Sequence, residues 1–219
     1  MLVLDIETIP TDAGMAVPYD EATNPPPANY AKPEAIAGWH DKGRVAYAEK
    51  RAKECSVNPR LGRVLAIGLS TVEHGPTMFY AETPDAEADA LREFWRMFAI
   101  DGTPLVTWNG SWDLRFLVVR SLRHRIALPV VIGAYFKRYT VHPHFDCKAA
   151  LMQDWNFRGA GEGLAEWSQF FGLDGKSDGW DGSKVYPAFL AGRHEEIQQY
   201  CAADVAATAA IYNLIRDTF

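Results

Sequence analysis

The stretch LVLDIETIP at residues 2–10 opens the chain with an apolar run that contains two acids, Asp5 and Glu7. We predict a buried strand here, because apolar residues precede Asp5 and an Ile-Pro pair ends the run. Residues two apart in a strand point to the same face, so the two carboxylates project together. They repel each other unless a cation lies between them, and oxygen ligands of this kind suit Mg²⁺ or Mn²⁺. The stretch alone leaves a second interpretation open, in which both acids are solvated at a strand edge.

The composition is that of a globular protein. The 219 residues, 48% of them hydrophobic and 23% charged, suffice for one sizeable domain. We expect neither a membrane span nor a signal peptide, because no apolar run is long enough and the first strand starts at once. The three cysteines form no C-x-x-C pair, which indicates neither a zinc site nor a disulfide framework. We therefore expect a cytoplasmic protein.

The net charge of −6 argues against a nucleic-acid partner, but the basic residues are unevenly distributed. Residues 42–63 and 115–148 together hold 14 of the 22 basic residues. A local basic surface on an acidic protein can still attract a polyanion. Helices with solvated charged faces explain the same pattern, so the charge distribution alone does not decide between the two.

The order of the predicted elements indicates an α/β protein with a mixed sheet. After the first strand, we predict strands over 64–71, 77–80 and 105–108 and a short one before Asp146. Helices are predicted over 85–98, 113–125, 161–171, 183–191 and 195–217. Within a single domain spanning 1–219, residues 11–59 read as an insertion, with three prolines at 25–27 and a charged helical run over 34–54. An insertion of this length is a candidate lid.

Two further acids fall where a site is expected. Asp113 follows the polar turn after the strand at 105–108, so it lies at the carboxyl end of a strand, where ligands bind in α/β sheets. The helix dipole also favours an acid at that place. Tyr200 and Asp204 are four residues apart and share one face of an alanine-rich helix. An acid on a closely packed helix must be paired, solvated in a cleft or metal-bound, so a hydrogen-bonded structural Asp204 is the alternative.

Taken together, these motifs resemble those of the DEDD superfamily of 3′–5′ exonucleases, in its tyrosine subclass. They occur in order as Asp5-x-Glu7-Thr8, Asn109-x-x-x-Asp113 and Tyr200-x-x-x-Asp204. Within that group, the segment from Gly172 to Thr208 resembles the predicted stand-alone exonucleases related to the proofreading domain of family-B DNA polymerases. The resemblance implies an RNase H-like fold, with a mixed five-stranded central sheet flanked by helices. It implies a metal-dependent enzyme that releases nucleoside 5′-monophosphates from a single-stranded 3′ end, with DNA favoured as the substrate.

The resemblance also implies roles for individual residues. The ligands of two Mg²⁺ or Mn²⁺ ions would be Asp5, Glu7, Asp113 and Asp204. Tyr200 would orient the attacking water rather than remove its proton, because an unperturbed tyrosine has a pKa of about 10. The implied substrate contacts are Thr8, Asn109, Trp112 and Lys176, although Trp112 stands where Phe is commoner in the family.

Several assignments stay open. Trp112 and Trp180 can each stack on a base or belong to the core. Asp146 is interpreted as a structural or substrate-positioning acid, and His142 and His144 as loop residues rather than ligands. An RNA-trimming enzyme with the same mechanism remains an alternative, because contacts to the 2′-OH decide the sugar preference. So does a nucleic-acid-binding module that keeps the fold without catalysis, and a replication or repair protein is a candidate partner.

Overall fold

The computed structural model describes residues 1–71, 75–101, 104–128, 132–136, 142–152, 163–173 and 179–219, which form a five-stranded sheet with helices on both faces. The strands are β1 (Leu2–Pro10), β2 (Gly62–Thr71), β3 (Thr77–Tyr80), β4 (Leu105–Thr107) and β5 (His144–Asp146). Their order in the sheet is β3-β2-β1-β4-β5. Both β1 and β5 pair in parallel with β4, whereas β3 pairs antiparallel with β2. This arrangement confirms the predicted mixed sheet.

The helices confirm most of the predicted positions, with shifted ends. They are α1 (Asp12–Met15), α2 (Pro33–Ser56), α3 (Pro84–Asp101), α4 (Gly110–Arg123), α5 (Cys147–Met152), α6 (Leu164–Phe170), α7 (Val185–Leu190) and α8 (His194–Ile215), with 3-10 helices at Ile132–Phe136 and Gly182–Lys184. The sequence did not predict α1, α5 or the first 3-10 helix, because segments of four to six residues are too short to show a helical period. None of the described helices has the length and apolarity to span a bilayer.

The helix predicted over 183–191 is wrong as a single element. A 3-10 helix at Gly182–Lys184 comes first, and α7 begins only at Val185. Proline has no backbone N–H, so a helix that started at Ser183 would lack the hydrogen bond from residue 187 to the carbonyl of that serine. In the observed arrangement Pro187 lies in the first turn of α7, where its missing N–H leaves no intrahelical bond unmade. The predicted helix over 161–171 is observed as α6, and residues 161 and 162 lie outside the described residues.

Each face of the sheet packs against its own apolar core. On one face Leu4 of β1 packs in a cluster with Phe94 of α3 and Leu117 of α4. On the other face Val3 of β1 packs in a cluster with Ile211 of α8. Because side chains alternate along a strand, α8 covers the face of β1 to which the odd-numbered residues point.

A buried carboxylate links α3, α4 and β2 on the first face. Glu87 accepts hydrogen bonds from the Arg120 Nε and Nη2 atoms at 2.8 and 2.6 Å, and from His124 Nε2 at 2.8 Å. It also accepts one from the backbone N–H of Val64 at 2.7 Å. Burial alone would raise the pKa of Glu87, but these hydrogen bonds favour the charged form and lower it. Glu87 is therefore an ionised structural residue of the core.

Residues Thr8–Arg63 form a compact unit, and Met1–Glu7 with Val64–Phe219 form a second one. The first unit contains the predicted insertion at 11–59, and its long helix is α2. Within this unit the Thr11 hydroxyl donates to the Leu61 carbonyl at 2.8 Å, and Arg51 Nε donates to the Gly14 carbonyl at 2.8 Å. Arg51 therefore binds the backbone of its own unit.

The two basic segments expose less positive charge than their sequence indicates. Arg63 and Arg120 are buried. Arg44 and Lys50 each pair with an acidic residue of α2, at 2.8 and 3.8 Å. Interior and locally paired cations attract a distant polyanion weakly. The predicted concentration of positive charge is thus partly used in structural contacts.

We expect Glu87→Gln to destabilise the protein by about 3–5 kcal/mol at neutral pH, because Arg120 would stay buried without its anionic partner. The folded-state pKa of Glu87 is lowered, so its contribution is complete above the unfolded-state pKa of about 4.3 and is lost as the pH falls through the folded-state value. The difference between wild type and variant should therefore shrink below about pH 4. Urea unfolding at several pH values measures it.

Glu93→Gln is the matched control. Glu93 lies on the same helix, is 46% exposed and pairs with Arg96 on the surface. Its loss should cost less than about 1 kcal/mol. Equal effects of the two substitutions would show that the buried cluster does not stabilise the fold.

Candidate active site

Asp5 and Glu7 lie on β1 just beyond the end of β4. The last residue pair between the two strands is Leu4 with Thr107, and β1 continues past it. Asp5 and Glu7 alternate in step with Val3, which belongs to the core beneath α8. Glu7 is buried and Asp5 is half-buried. The two acids therefore lie at the carboxyl end of the parallel strands, on the face that α8 covers.

The turn between β4 and α4 fixes the position of Asp113. Asn109 has a left-handed backbone with φ of 63°, which asparagine tolerates better than most residues, and its N–H donates to Asp146 Oδ1 at 3.0 Å. A Cβ on Gly110 would lie 2.0 Å from Thr107 Oγ1, so glycine is required for the chain to turn here. α4 consequently begins directly after the strand, and Asp113 is buried in its first turn.

Asp113 interacts electrostatically with the acid of the first motif. Burial raises the pKa of Asp113 well above its usual range, and the negative charges of Asp5 and Asp146 raise it further. Asp146 lies at the end of β5, where it accepts the N–H of Ala149 at 3.1 Å in addition to the N–H of Asn109. Asp146 thus holds the turn that leads to Asp113. Of the two roles predicted for it, structural or substrate-positioning, these hydrogen bonds support the structural one.

α8 brings Tyr200 and Asp204 to the same place by packing closely on the sheet. A Cβ on Gly68 of β2 would lie 2.8 Å from Val205 Cγ2 and 3.0 Å from Cys201 Sγ, so a larger residue would push the helix away. Tyr200 is 3% exposed and Asp204 is 6% exposed. Both side chains therefore face inward.

Tyr200 is surrounded by acids. Burial raises the pKa of its phenol far above the usual value, and the charges of Glu7, Asp204 and Asp5 raise it further. A hydrogen bond with the Asp204 carboxylate acts in the same direction, since it holds the phenol proton. Tyr200 is consequently a protonated hydrogen-bond donor at neutral pH. That Tyr200 orients water rather than acting as a base stays a prediction.

Cys201 is a residue of this site that the sequence analysis missed. Its Sγ donates to Asp5 Oδ2 at 3.7 Å, and the thiol is completely buried. Burial raises the pKa of the thiol, as do the charges of Asp5, Glu7 and Asp204, so it stays protonated. Its position directly after Tyr200 was a weak signal, because adjacent residues on a helix point about 100° apart. Only the approach of α8 to β1 brings the thiol to Asp5.

The donor atoms are suited to a divalent cation. Among the described residues, Asp5, Glu7 and Cys201 offer ligand atoms that lie within 4.8 Å of one another. Asp113 and Asp204 are outside this tight group but act on it electrostatically, on Asp5 and on Cys201 respectively. Clustered carboxylate oxygens favour Mg²⁺ or Mn²⁺, and a cation relieves their mutual repulsion.

The predicted substrate contacts are spread over different places. The Thr8 hydroxyl donates to the Ser56 carbonyl at 2.7 Å, and alternation directs it to the opposite face of β1 from Glu7. Asn109 is exposed. Trp112 is half-buried and packs on Phe116, with ring centroids 5.4 Å apart. Lys176 lies outside the described residues.

His144 has a structural environment, and the prediction that it lies in a loop is wrong. It belongs to β5, where it pairs in register with Leu105 of β4, and it is buried. Its Nδ1 lies 2.9 Å from the Tyr135 carbonyl, which can only accept, so Nδ1 donates. Its Nε2 then accepts from the Thr107 hydroxyl at 2.8 Å. Burial lowers the pKa of His144, consistent with a neutral ring that uses both nitrogens.

The fold of the described residues has a counterpart among solved structures. The chain is similar in fold to the family B DNA polymerase from the hyperthermophilic archaeon Pyrobaculum calidifontis, with a TM-score of 0.62 and 16% sequence identity over 98% of this chain. It covers 24% of the polymerase chain, so it spans about a quarter of that protein. The similarity confirms the predicted RNase H-like fold.

The family follows from the sequence comparison. Residues 60–217 match a family described as predicted 3′–5′ exonucleases related to the exonuclease domain of PolB, and the chain belongs to this family. No curated protein gives a significant match. The predicted class, an exonuclease of the polymerase-related branch, is thereby confirmed. The matched range contains the second and third acidic motifs, and Asp5 and Glu7 precede it.

We expect Asp113→Asn to stabilise the chelator-treated protein at neutral pH, because the substitution removes a buried negative charge beside Asp5 and Asp146. The raised pKa of Asp113 means that the folded state binds its proton more tightly than the unfolded state. The contribution of Asp113 to the free energy of unfolding of wild type should therefore fall as the pH rises above about 4. The difference in stability between the variant and wild type should grow accordingly. Urea unfolding in EDTA at pH 5 and pH 8 measures the difference.

Asp89→Asn is the control, because Asp89 is an exposed acid paired with Arg92 on α3. Its effect should be within about 0.5 kcal/mol. A lower stability of Asp113→Asn than of wild type in EDTA at pH 8 would contradict the electrostatic account of the site.

Proposed function

We propose that this protein is a metal-dependent 3′–5′ exonuclease that acts on single-stranded nucleic acid, DNA in preference to RNA, and releases nucleoside 5′-monophosphates. The observation that supports it is the convergence of acids from three separate elements. The charges of Asp5 and Glu7 of β1 raise the pKa of Tyr200 of α8, and the charge of Asp5 raises the pKa of Asp113 of α4. Titratable groups with strongly shifted pKa values, gathered at the carboxyl ends of parallel strands, are typical of an active site.

The carboxylates have the role of metal ligands in this proposal. Asp5, Glu7, Asp113 and Asp204 would hold two Mg²⁺ or Mn²⁺ ions. Bound in this way, the ions would neutralise charge on the scissile phosphate and acidify the attacking water. The raised pKa of Asp113 supports this assignment, because a buried acid whose charged form is unfavourable gains most from a neighbouring cation.

Tyr200 and Cys201 act as hydrogen-bond donors. The Tyr200 phenol keeps its proton in the hydrogen bond to Asp204, and in this proposal its oxygen accepts a hydrogen bond from the attacking water and so orients it. The Cys201 thiol donates to Asp5 Oδ2 and so restricts the orientation of that carboxylate. The two adjacent residues of α8 thus contribute hydrogen bonds rather than charge.

A strand-degradation assay tests the proposal. Single strands of DNA and RNA of one sequence, labelled at the 5′ end, should be shortened stepwise from the 3′ end in Mg²⁺ or Mn²⁺. Asp5→Ala and Asp204→Asn should each slow hydrolysis by at least about 1,000-fold, because metal activation supplies several kcal/mol. Their circular dichroism melts should stay close to that of wild type, and Asp89→Asn should keep full activity.

The outcomes separate the alternatives. Full activity of Asp5→Ala would end the two-metal proposal. Degradation of RNA alone would favour the RNA-trimming enzyme, because the two substrates differ in the 2′-OH and in the methyl group of thymine. Tight strand binding without hydrolysis in either metal would favour a binding module that has lost catalysis.

Replacing Tyr200 tests its role separately. Tyr200→Phe should slow hydrolysis roughly 100-fold, the scale of one hydrogen bond made in the transition state. Calorimetric titration should show nearly unchanged Mn²⁺ affinity. Tyr212→Phe removes a hydroxyl from the same helix where the ring packs on Phe145, and it should leave activity unchanged. A loss of Mn²⁺ affinity in Tyr200→Phe as large as in Asp204→Asn would mean that the tyrosine supports the metal site instead.

A further inference from the structure

Trp180 stacks on the tyrosine of the candidate site. Its ring centroid lies 5.5 Å from that of Tyr200, and the two ring planes are inclined by 27°. Trp180 precedes the 3-10 helix at Gly182–Lys184, whereas Tyr200 is on α8, so the contact joins two separate parts of the chain. Stacked aromatic pairs have a defined mutual geometry and restrict the rotation of both rings.

A second side chain, that of Arg193, packs over the face of the Trp180 ring. The guanidinium carbon of Arg193 lies 5.2 Å from the ring centroid. Arg193 is itself held by Glu196 on the first turn of α8, with Nε 2.6 Å from Glu196 Oε1 and a second hydrogen bond from Nη2 to Oε2. The indole thus contacts Arg193, the residue directly before α8, and Tyr200, which lies within α8.

The backbone on both sides of Trp180 is also fixed. Asp181 Oδ1 accepts the N–H of Ser183 at 2.8 Å and caps the 3-10 helix. Lys184 Nζ donates to the carbonyl of Gly179, which has a φ of +82°. These bonds tie the residues that flank Trp180 to the short helix after it. The indole is therefore presented to Tyr200 by an anchored segment.

We infer that Trp180 is a positioning residue for Tyr200: it holds the phenol ring by stacking, so that the hydroxyl keeps one place beside the acids. The inference rests on the proposed function of Tyr200 in hydrolysis. The hydrogen bond with Asp204 restrains the hydroxyl end of the tyrosine, and the stack restrains the plane of its ring. A hydroxyl that orients water needs both restraints, since a small displacement of a reacting group is costly.

The competing role is a stacking platform for a nucleobase, which the sequence leaves open for Trp180. Contacts of its ring with Tyr200 and Arg193 favour the positioning role, because they already use the aromatic surface. The two roles differ in what they change. A positioning residue affects kcat, whereas a base platform affects the binding of the strand and so KM.

The test combines kinetics with a double-mutant cycle. Trp180→Ala should lower kcat by about 10- to 100-fold with KM changed less than about twofold, and Trp180→Phe should restore most of the activity. In a Tyr200→Phe background, Trp180→Ala should have little further effect on kcat, because it acts through the missing hydroxyl. A raised KM with unchanged kcat, or full additivity of the two substitutions, would overturn the inference.

Arg193→Gln extends the test to the second partner of the ring. It should lower kcat in the same direction as Trp180→Ala but less. Arg96→Gln is the matched control, because Arg96 makes the same ion pair with an acid three residues away on α3. Equal effects of the two arginine variants on kcat would show that Arg193 does not help to position Tyr200.

Fluorine NMR separates this inference from the proposed function. In protein labelled with 3-fluorotyrosine, the Tyr200 resonance is identified by its absence in Tyr200→Phe. Loss of the indole ring current in Trp180→Ala should shift this resonance more than the other tyrosine signals. An unshifted resonance overturns the stack even if the enzyme is active. Failure of wild type to degrade any strand refutes the proposed function instead, and with it the positioning role.

Discussion

The close approach of α8 to the sheet is the constraint on which the site depends. A side chain at Gly68 would collide with Val205 and Cys201, so the helix can reach this distance only over glycine. At this distance Tyr200 and Asp204 are brought against the acids of β1, and burial acts on all of them together. The site is therefore built at a free-energy cost, because like charges are gathered where water solvates them poorly. Natural active sites commonly bear such a cost in exchange for function.

Two buried acids show how the surroundings decide the chemistry of one residue type. Glu87 receives hydrogen bonds from two cationic or polar side chains and one backbone N–H, and its pKa is lowered. Asp113 is equally removed from water but faces other carboxylates, and its pKa is raised. The negative charge of Glu87 is stabilised by hydrogen-bond donors inside the protein, so this acid is structural. The second is buried beside the like charges of Asp5 and Asp146, which one backbone hydrogen bond only partly offsets, so a divalent cation is the partner that the proposed function assigns to it.

Much of the fold could be predicted from local pattern. The strands and the long amphipathic helices are observed close to their predicted places, because apolar periodicity directly reports which face is buried. Short elements such as α5 were missed, since too few residues carry a period. The split before α7 depends on the missing N–H of Pro187, a single backbone property that a hydrophobic pattern does not register. The sequence also overestimated the positive charge at the surface. Arg120 is buried because it pairs with Glu87, and a partner that distant in sequence is not visible in a local pattern.

The spacing of the motifs predicted which acids form the candidate site. Spacing alone placed Asp5 and Glu7 on one strand face and Tyr200 and Asp204 on one helix face, because residue periods of strands and helices are fixed by backbone geometry. Which elements meet, in contrast, is seen only in the folded chain. The thiol of Cys201 beside Asp5 and the indole stacked on Tyr200 arise from contacts between separate segments, and distances between segments are set by packing rather than by local sequence.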